Sequence, residues 1–208
     1  MPGRGEPTCA DTRKVFANLG CGPGRDGDPP PVFQGWRELR VDIEPRARPD
    51  IVADLTDLSP IASDSIDGVW CSHCLEHLPQ HAAPFALSEM RRILAPGGVA
   101  VILVPDLQSV ASLIVADRMH ETLYHSPAGP ITPHDIVFGF GKDIARGLPF
   151  MAHRSGFTPT AMMECLRKGG FEDFALVRRP TWELAAVAAK GGFASAGERD
   201  VLIEQLGR

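Results

Sequence analysis

The run VFANLGCGPG, Val15 to Gly24, constrains this chain more than any other stretch. Its apolar first half reads as a buried strand. Glycines at alternate positions, Gly20, Gly22 and Gly24, read as the turn that ends it. Glycine has no Cβ, so backbone there can bend tightly and lie close against a ligand. A second strand-like run, Leu39 to Ile43, places Asp42 near its C-terminal end. Glycine turn plus downstream acid is the arrangement that holds a nucleoside, backbone against one end and carboxylate on the ribose hydroxyls. Nicotinamide binding is disfavoured, because its fingerprint wants glycine where this chain has Arg25.

Residues 1–13 are glycine, proline and charge and read as a loose leader. Pro29-Pro30-Pro31 cannot lie inside a helix, so no long helix is expected straight after the glycine turn. A loop, or a short helical turn around Gly35 to Glu38, fills that layer instead. Residues 50–55 read as a short edge-like strand and 66–71 as another strand. Pro79 to Leu94 reads as a helix with Phe85, Leu87, Met90, Ile93 and Leu94 on one side, stopped by Pro96-Gly97-Gly98. Val99 to Val104 is apolar throughout, as in a parallel strand covered on both faces. A helix is expected over Leu107 to Met119, with Val110, Leu113 and Ile114 as its apolar positions. Residues 120–158 are rich in proline and glycine and form an excursion that either contains short helices or serves a function. Thr158 caps a helix to Lys168, with Pro159 at its first position and Gly169-Gly170 closing it. Residues 171–179 and 182–190 are strands joined at Pro180-Thr181, so they run antiparallel to each other. Residues 191–208 read as a tail or short helix.

Alternating strands and helices give an α/β chain with a mostly parallel sheet and helices on both faces. Ligands in such sheets sit beyond the C-terminal strand ends. Gly20 to Gly24, Asp42, Asp54, His73 and Pro105-Asp106 all fall there.

The length of 208 residues suits a single domain, residues 14–190, with 120–158 as an inserted cover. Twenty-one basic against 26 acidic residues argue against a dedicated nucleic-acid surface. The five cysteines are odd in number and lack repeated spacing, which fits a thiol-lined interior rather than disulfides. No apolar run is long enough for a membrane span and no signal-like N-terminus stands out, so a cytoplasmic protein is expected.

The words NLGCGPG, VDI, ADL, EHL and LAPGG together resemble the class I S-adenosylmethionine-dependent methyltransferases, over roughly Val15 to Lys190. The resemblance implies a Rossmann-like, seven-stranded sheet with its last strand antiparallel, and S-adenosylmethionine as cofactor. Asn18, Gly20, Cys21, Gly22 and Gly24 would face the methionine portion. Asp42 would take the ribose hydroxyls, Ile43 would pack on the purine, and Asp54 and Leu55 would meet the adenine edge. Ser72 and His73 would lie near the sulfonium and the acceptor. The expected activity is methyl transfer to a small-molecule or sugar-like acceptor.

An activated methyl mainly needs alignment with its acceptor, but an oxygen acceptor benefits from a base, and histidine has a suitable pKa. His73 is the first candidate. On the excursion, His153 is a second base, and His134 and Arg154 are candidate contacts to the acceptor. Phe138, Phe140, Phe150 and Phe157 give that segment an apolar side, for a site or for a homodimer surface. Two other readings stay open. His73-x-x-Glu76-His77 matches an inverted zinc-protease motif, although it follows a strand at once and Pro79 comes two residues after it. A non-catalytic relative of the fold, binding cofactor or a protein partner, is the other.

Overall fold

The computed structural model describes residues 12–24, 31–126 and 128–207. The expected leader, apart from Thr12 and Arg13, and the start of the proline run lie outside them. Seven strands form the main sheet: β1 (Val15–Leu19), β2 (Arg37–Asp42), β3 (Ile51–Val52), β4 (Ile66–Ser72), β5 (Leu94–Pro105), β8 (Asp173–Arg179) and β9 (Glu183–Ala189). A separate hairpin, β6 (Tyr124–Ser126) with β7 (Gly129–Ile131), lies in the excursion. The sheet order is β3-β2-β1-β4-β5-β9-β8. The pairs up to β5 are parallel, and β9 is antiparallel to both its neighbours. This is a Rossmann-like, mostly parallel sheet, with the reversed strand set inside the edge.

Alternation along β5 shows why both faces close. Ala100, Ile102 and Val104 join one core with Leu87 and Met90 of α1 (Ala83–Ile93) and Met162 and Leu166 of α5 (Pro159–Lys168). Val99, Val101 and Leu103 join the other with Leu202 and Leu206 of α6 (Ala196–Gly207). The tail is therefore a packed helix. Thr158 caps α5 by accepting from the Ala161 amide, as the sequence indicates.

The layer between β1 and β2 is filled by rings, not by a long helix among the described residues. A 3-10 turn, Pro31–Phe33, replaces the turn expected at Gly35 to Glu38, which instead leads into β2. Phe33 stacks on Phe16 with centroids 5.0 Å apart and meets Trp36 edge-on. Gly68 on β4 makes this fit: a Cβ there would lie 2.4 Å from the Phe33 ring.

Several boundaries differ from the sequence reading. α1 begins at Ala83, and Phe85 is 63% exposed because Ala83, Ala86, Leu87, Met90 and Ile93 form the buried face. β5 begins at Leu94 and runs through Pro96-Gly97-Gly98, with an irregular register against β4 before Gly68. α2 (Leu107–Val115) stops short of Met119, where Asp117 turns left-handed at φ 58°. Only Ile51–Val52 of the 50–55 run pairs as strand. The excursion contains the hairpin, α3 (Pro133–Phe138), α4 (Gly141–Ala145) and a 3-10 turn, Pro149–Met151. Lys190 ties β9 down at its end, with Nζ on Asp64 and on the carbonyls of Leu94 and Arg92.

Candidate functional site

Two regions lie at the C-terminal edge of the parallel strands. The first lies at β1 and β2. Asp42 Oδ2 accepts the Gly22 amide at 2.8 Å and Oδ1 accepts the Glu44 amide at 2.9 Å. One carboxylate thus joins the glycine turn to the end of β2 and keeps a further lone pair on each oxygen. Arg40 donates to the Gly22 carbonyl at 2.6 Å and the Gly24 carbonyl at 3.4 Å. Ile43, beside Asp42, is 52% exposed.

The glycines have separate reasons. Gly22 sits at φ 64° with nothing among the described residues within 4 Å of a would-be Cβ. At Gly20, φ 68°, a Cβ would lie 2.2 Å from Cys74 Sγ, so packing against that thiol demands glycine there. The sequence reading assigned that space to a ligand. Other expected contacts have protein partners. Asn18 donates to Glu38 at 2.7 Å. Cys21 is half-buried, and burial pushes its thiol up while a hydrogen bond with Arg40 pulls it down. Asp54 Oδ1 takes the Thr56 amide and hydroxyl at 2.8 and 2.7 Å, capping its own turn. Leu55 packs on the core edge.

The second region is a cleft of about 660 Å³, measured out to its mouth, walled by the ends of β4, β5 and β9 and by the excursion. His73, one residue past β4, adopts φ 54°. Its amide donates to the Leu103 carbonyl. Its Nε2 lies 2.6 Å from Glu183 Oε1 and its Nδ1 3.4 Å from Glu76 Oε1. Burial works against the charged ring, but the bond to Glu183 and the nearby Glu76 carboxylate outweigh it and raise the pKa from 6.5 to about 10. At neutral pH this imidazolium has no lone pair to accept a proton. Burial likewise raises Glu76 and Glu183, yet His73 beside them holds both below the ordinary carboxylate range. Ser72 borders this ring on the strand and remains half-buried.

Glu76 is 1% exposed and stands at the centre of three histidines. The excursion brings the third. Arg154 and Ser155 donate their amides to the Glu76 carbonyl at 2.8 and 3.1 Å, which sets His153 against His77 with ring centroids 4.8 Å apart. Burial lowers the His153 pKa. Gly139 permits the return of the chain, since a Cβ there would lie 2.1 Å from the Met151 carbonyl oxygen. Arg154 is exposed beside an adjoining cleft. His134 lines neither cleft; it stacks with His120 and meets Phe138 at a tilt. Phe140 lines the first cleft, Phe138 the second, and Phe157 is buried.

The helix that the inverted zinc motif requires does not form. Leu75–His77 is one 3-10 turn, and His73 is turned onto Glu183. Glu183, Trp182 and Tyr124 line the cleft and were not singled out from sequence. Glu183 had a signal: it is the lone charge heading the apolar run Leu184 to Ala189. Among the described residues no helix is long and apolar enough to cross a membrane.

A methyltransferase-domain family model matches residues 17–102, from β1 into β5. No curated protein matches the chain by sequence. Among solved structures, a methyltransferase from Archaeoglobus fulgidus is 16% identical over 86% of this chain and 87% of its own, with TM-score 0.53. One from Methanosarcina mazei is 16% identical over 86% and 92%, with TM-score 0.55. The 1,6-didemethyltoxoflavin-N1-methyltransferase of Burkholderia thailandensis, solved with 1,6-didemethyltoxoflavin and S-adenosylhomocysteine, is 21% identical over 86% and 72%, with TM-score 0.50.

Proposed function

For this chain, which has the fold of the class I S-adenosylmethionine-dependent methyltransferases, we propose methyl transfer from S-adenosylmethionine to a small-molecule or sugar-like acceptor. The observation that carries this is the Gly22–Asp42 bond, which joins glycine turn and acid at the rim formed by the C-terminal ends of β1 and β2. The residues at that rim fit the cofactor: Gly22 faces open space, Asp42 keeps lone pairs for ribose hydroxyls, and exposed Ile43 offers an apolar flank. When bound, the cofactor supplies a methyl already activated on a sulfonium. The chain's part is then to bind and align.

The acceptor space is the cleft. Tyr124, Phe140, Met151 and Trp182 give it apolar and aromatic surface, and His73 and Glu183 give it charge. That mixture suits a small ring bearing hydroxyls. The solved relative from Burkholderia, with 1,6-didemethyltoxoflavin bound, supports a small-molecule acceptor. In this reading His73 is a cation that positions acceptor oxygen, His153 contributes a neutral ring, and Arg154 contacts the acceptor's outer side. Ser72, Asp54 and Leu55 border the cofactor, and Asn18 and Cys21 support the turn. His134 is left to the cover.

Calorimetry with S-adenosylhomocysteine tests the rim. Binding is expected for the parent, and Asp42→Ala should weaken it by about 1.5–3 kcal/mol. No binding to the parent, or equal binding by the variant, would sink the reading. Labelled cofactor offered with metabolite pools then identifies the acceptor.

A further inference from the structure

Glu76, His77 and His153 converge with electron pairs that no donor among the described residues answers together. An oxygen of Glu76 and one ring nitrogen from each histidine lie within 4.8 Å of one another. Neither Glu76 oxygen accepts a hydrogen bond among the described residues. His73 approaches Oε1 at 3.4 Å, which leaves Oε2 without a partner among them. A buried carboxylate in that state is costly unless a cation answers it.

Hydrogen bonding leaves each histidine one nitrogen able to accept. His77 Nδ1 lies 3.3 Å from the Ala152 carbonyl oxygen and His153 Nδ1 lies 2.7 Å from that of Ile136. A carbonyl only accepts, so each Nδ1 carries the proton and each Nε2 keeps a lone pair. Metal-bound histidines are held in this way, their second nitrogen donating to a backbone carbonyl or carboxylate.

We infer that Glu76, His77 and His153 form a binding site for a divalent first-row transition ion of the Zn²⁺, Fe²⁺ or Mn²⁺ kind. Two imidazoles and a carboxylate suit these ions, whereas Mg²⁺ prefers oxygen throughout. Bonds of about 2.1 Å ask for donors about 3–3.5 Å apart, and the soft outer torsions of histidine and glutamate allow the trio to close inward. All three side chains line the first cleft, so an ion has an entry path and keeps open positions toward that space. The site rests on these residues alone. That its open positions hold an acceptor oxygen rests on the methyl-transfer reading above.

The experiment is titration of chelator-stripped full chain with Co²⁺, read by its visible absorption, with Zn²⁺ in competition. One ion per chain is expected, with no near-ultraviolet sulfur-to-cobalt band. Glu76→Gln and His153→Ala should each lower affinity by more than the roughly 100-fold that loss of an outer partner costs. Their circular dichroism and S-adenosylhomocysteine affinity should match the parent, and His77→Ala serves if one of them misfolds. No cobalt uptake, a sulfur band, or parent-like affinity in the folded variants would overturn the inference. Cobalt held by the trio in a chain that never binds S-adenosylhomocysteine would keep the metal site and discard the methyl-transfer reading.

Discussion

His73 Nε2 lies 2.6 Å from Oε1 of Glu183, a residue 110 positions further along the chain. This contact ties the end of β4 to the start of β9 across the intervening β5. It also decides the charge that faces the cleft.

Glu183→Gln should therefore lower the His73 pKa from about 10 toward 6.5. The folded value lies above the unfolded one, so this group's stabilisation is full below 6.5 and is lost as pH rises through about 10. In the variant that alkaline loss moves to lower pH. Glu76 and Glu183 are held below 4.5, so their share is present above 4.5 and fades as pH falls through the lowered values. Ring-proton NMR against pH reads the first effect. An unchanged His73 titration in the variant would show that Glu183 does not hold the proton.

Gly20 and Gly22 should respond differently to alanine. Gly20→Ala combines a left-handed backbone with a methyl against Cys74 Sγ and should cost about 2–4 kcal/mol. Adding Cys74→Ala should recover the steric part. Gly22→Ala meets no atom of the described residues and should cost only about 1–2 kcal/mol, while sharply weakening S-adenosylhomocysteine. Denaturant melts and calorimetry separate the two effects. Equal losses of stability would refute the distinction.

Arg92→Ala should destabilise the domain by about 1.5–3 kcal/mol without touching cofactor affinity. Its guanidinium pairs with Glu89 at 2.7 Å and donates to the carbonyls of Leu58 and Ile61. Glu89 in turn accepts the Leu58 amide at 2.8 Å. Arg92→Lys should restore only part, because an ammonium cannot reproduce the planar fork. Full rescue by lysine in urea melts would contradict this.

Gly139→Ala should loosen the excursion and leave the sheet intact. Its methyl would collide with the Met151 carbonyl and the Ala152 backbone. Limited proteolysis should then cut between residues 139 and 153 faster than in the parent, with the far-ultraviolet spectrum nearly unchanged. An unaltered cleavage pattern would show that the strand-like contact of Gly139 with Ala152 is dispensable.

The main sheet and α5 were legible because local signals agreed. Apolar runs marked β1, β4 and β5, and Thr158-Pro159 with Gly169 bracketed α5. Phe85 misled because a large apolar residue was counted on the buried face when smaller Ala83 and Ala86 occupy it. The Phe33 stack was invisible because it depends on Gly68 being opposite. The rim of Gly22 and Asp42 was readable from motif spacing, but the reason for Gly20 was not, since Cys74 lies 54 positions away in the chain. The meeting of His77 with His153 was likewise hidden. It rests on amides of Arg154 and Ser155 finding the Glu76 carbonyl, and no local pattern announces such long-range pairing.

Strand β9 is nearly uniform: Leu184, Ala185, Ala186, Val187, Ala188 and Ala189 are all buried, so small residues occupy both sides. A shift of one position against β5 would exchange alanine for alanine at two positions and alanine for leucine or valine at three, so apolar contact alone would oppose it only weakly. Charge at the two ends does oppose it. Glu183 is held by His73, Arg179 and Thr181, and Lys190 by Asp64 and two main-chain oxygens. These act as alignment pins. With both removed, the strand can slide out of step and carry Glu183 and Trp182 off the cleft wall, so a lysine at the far end of β9 helps to set the shape of the acceptor side.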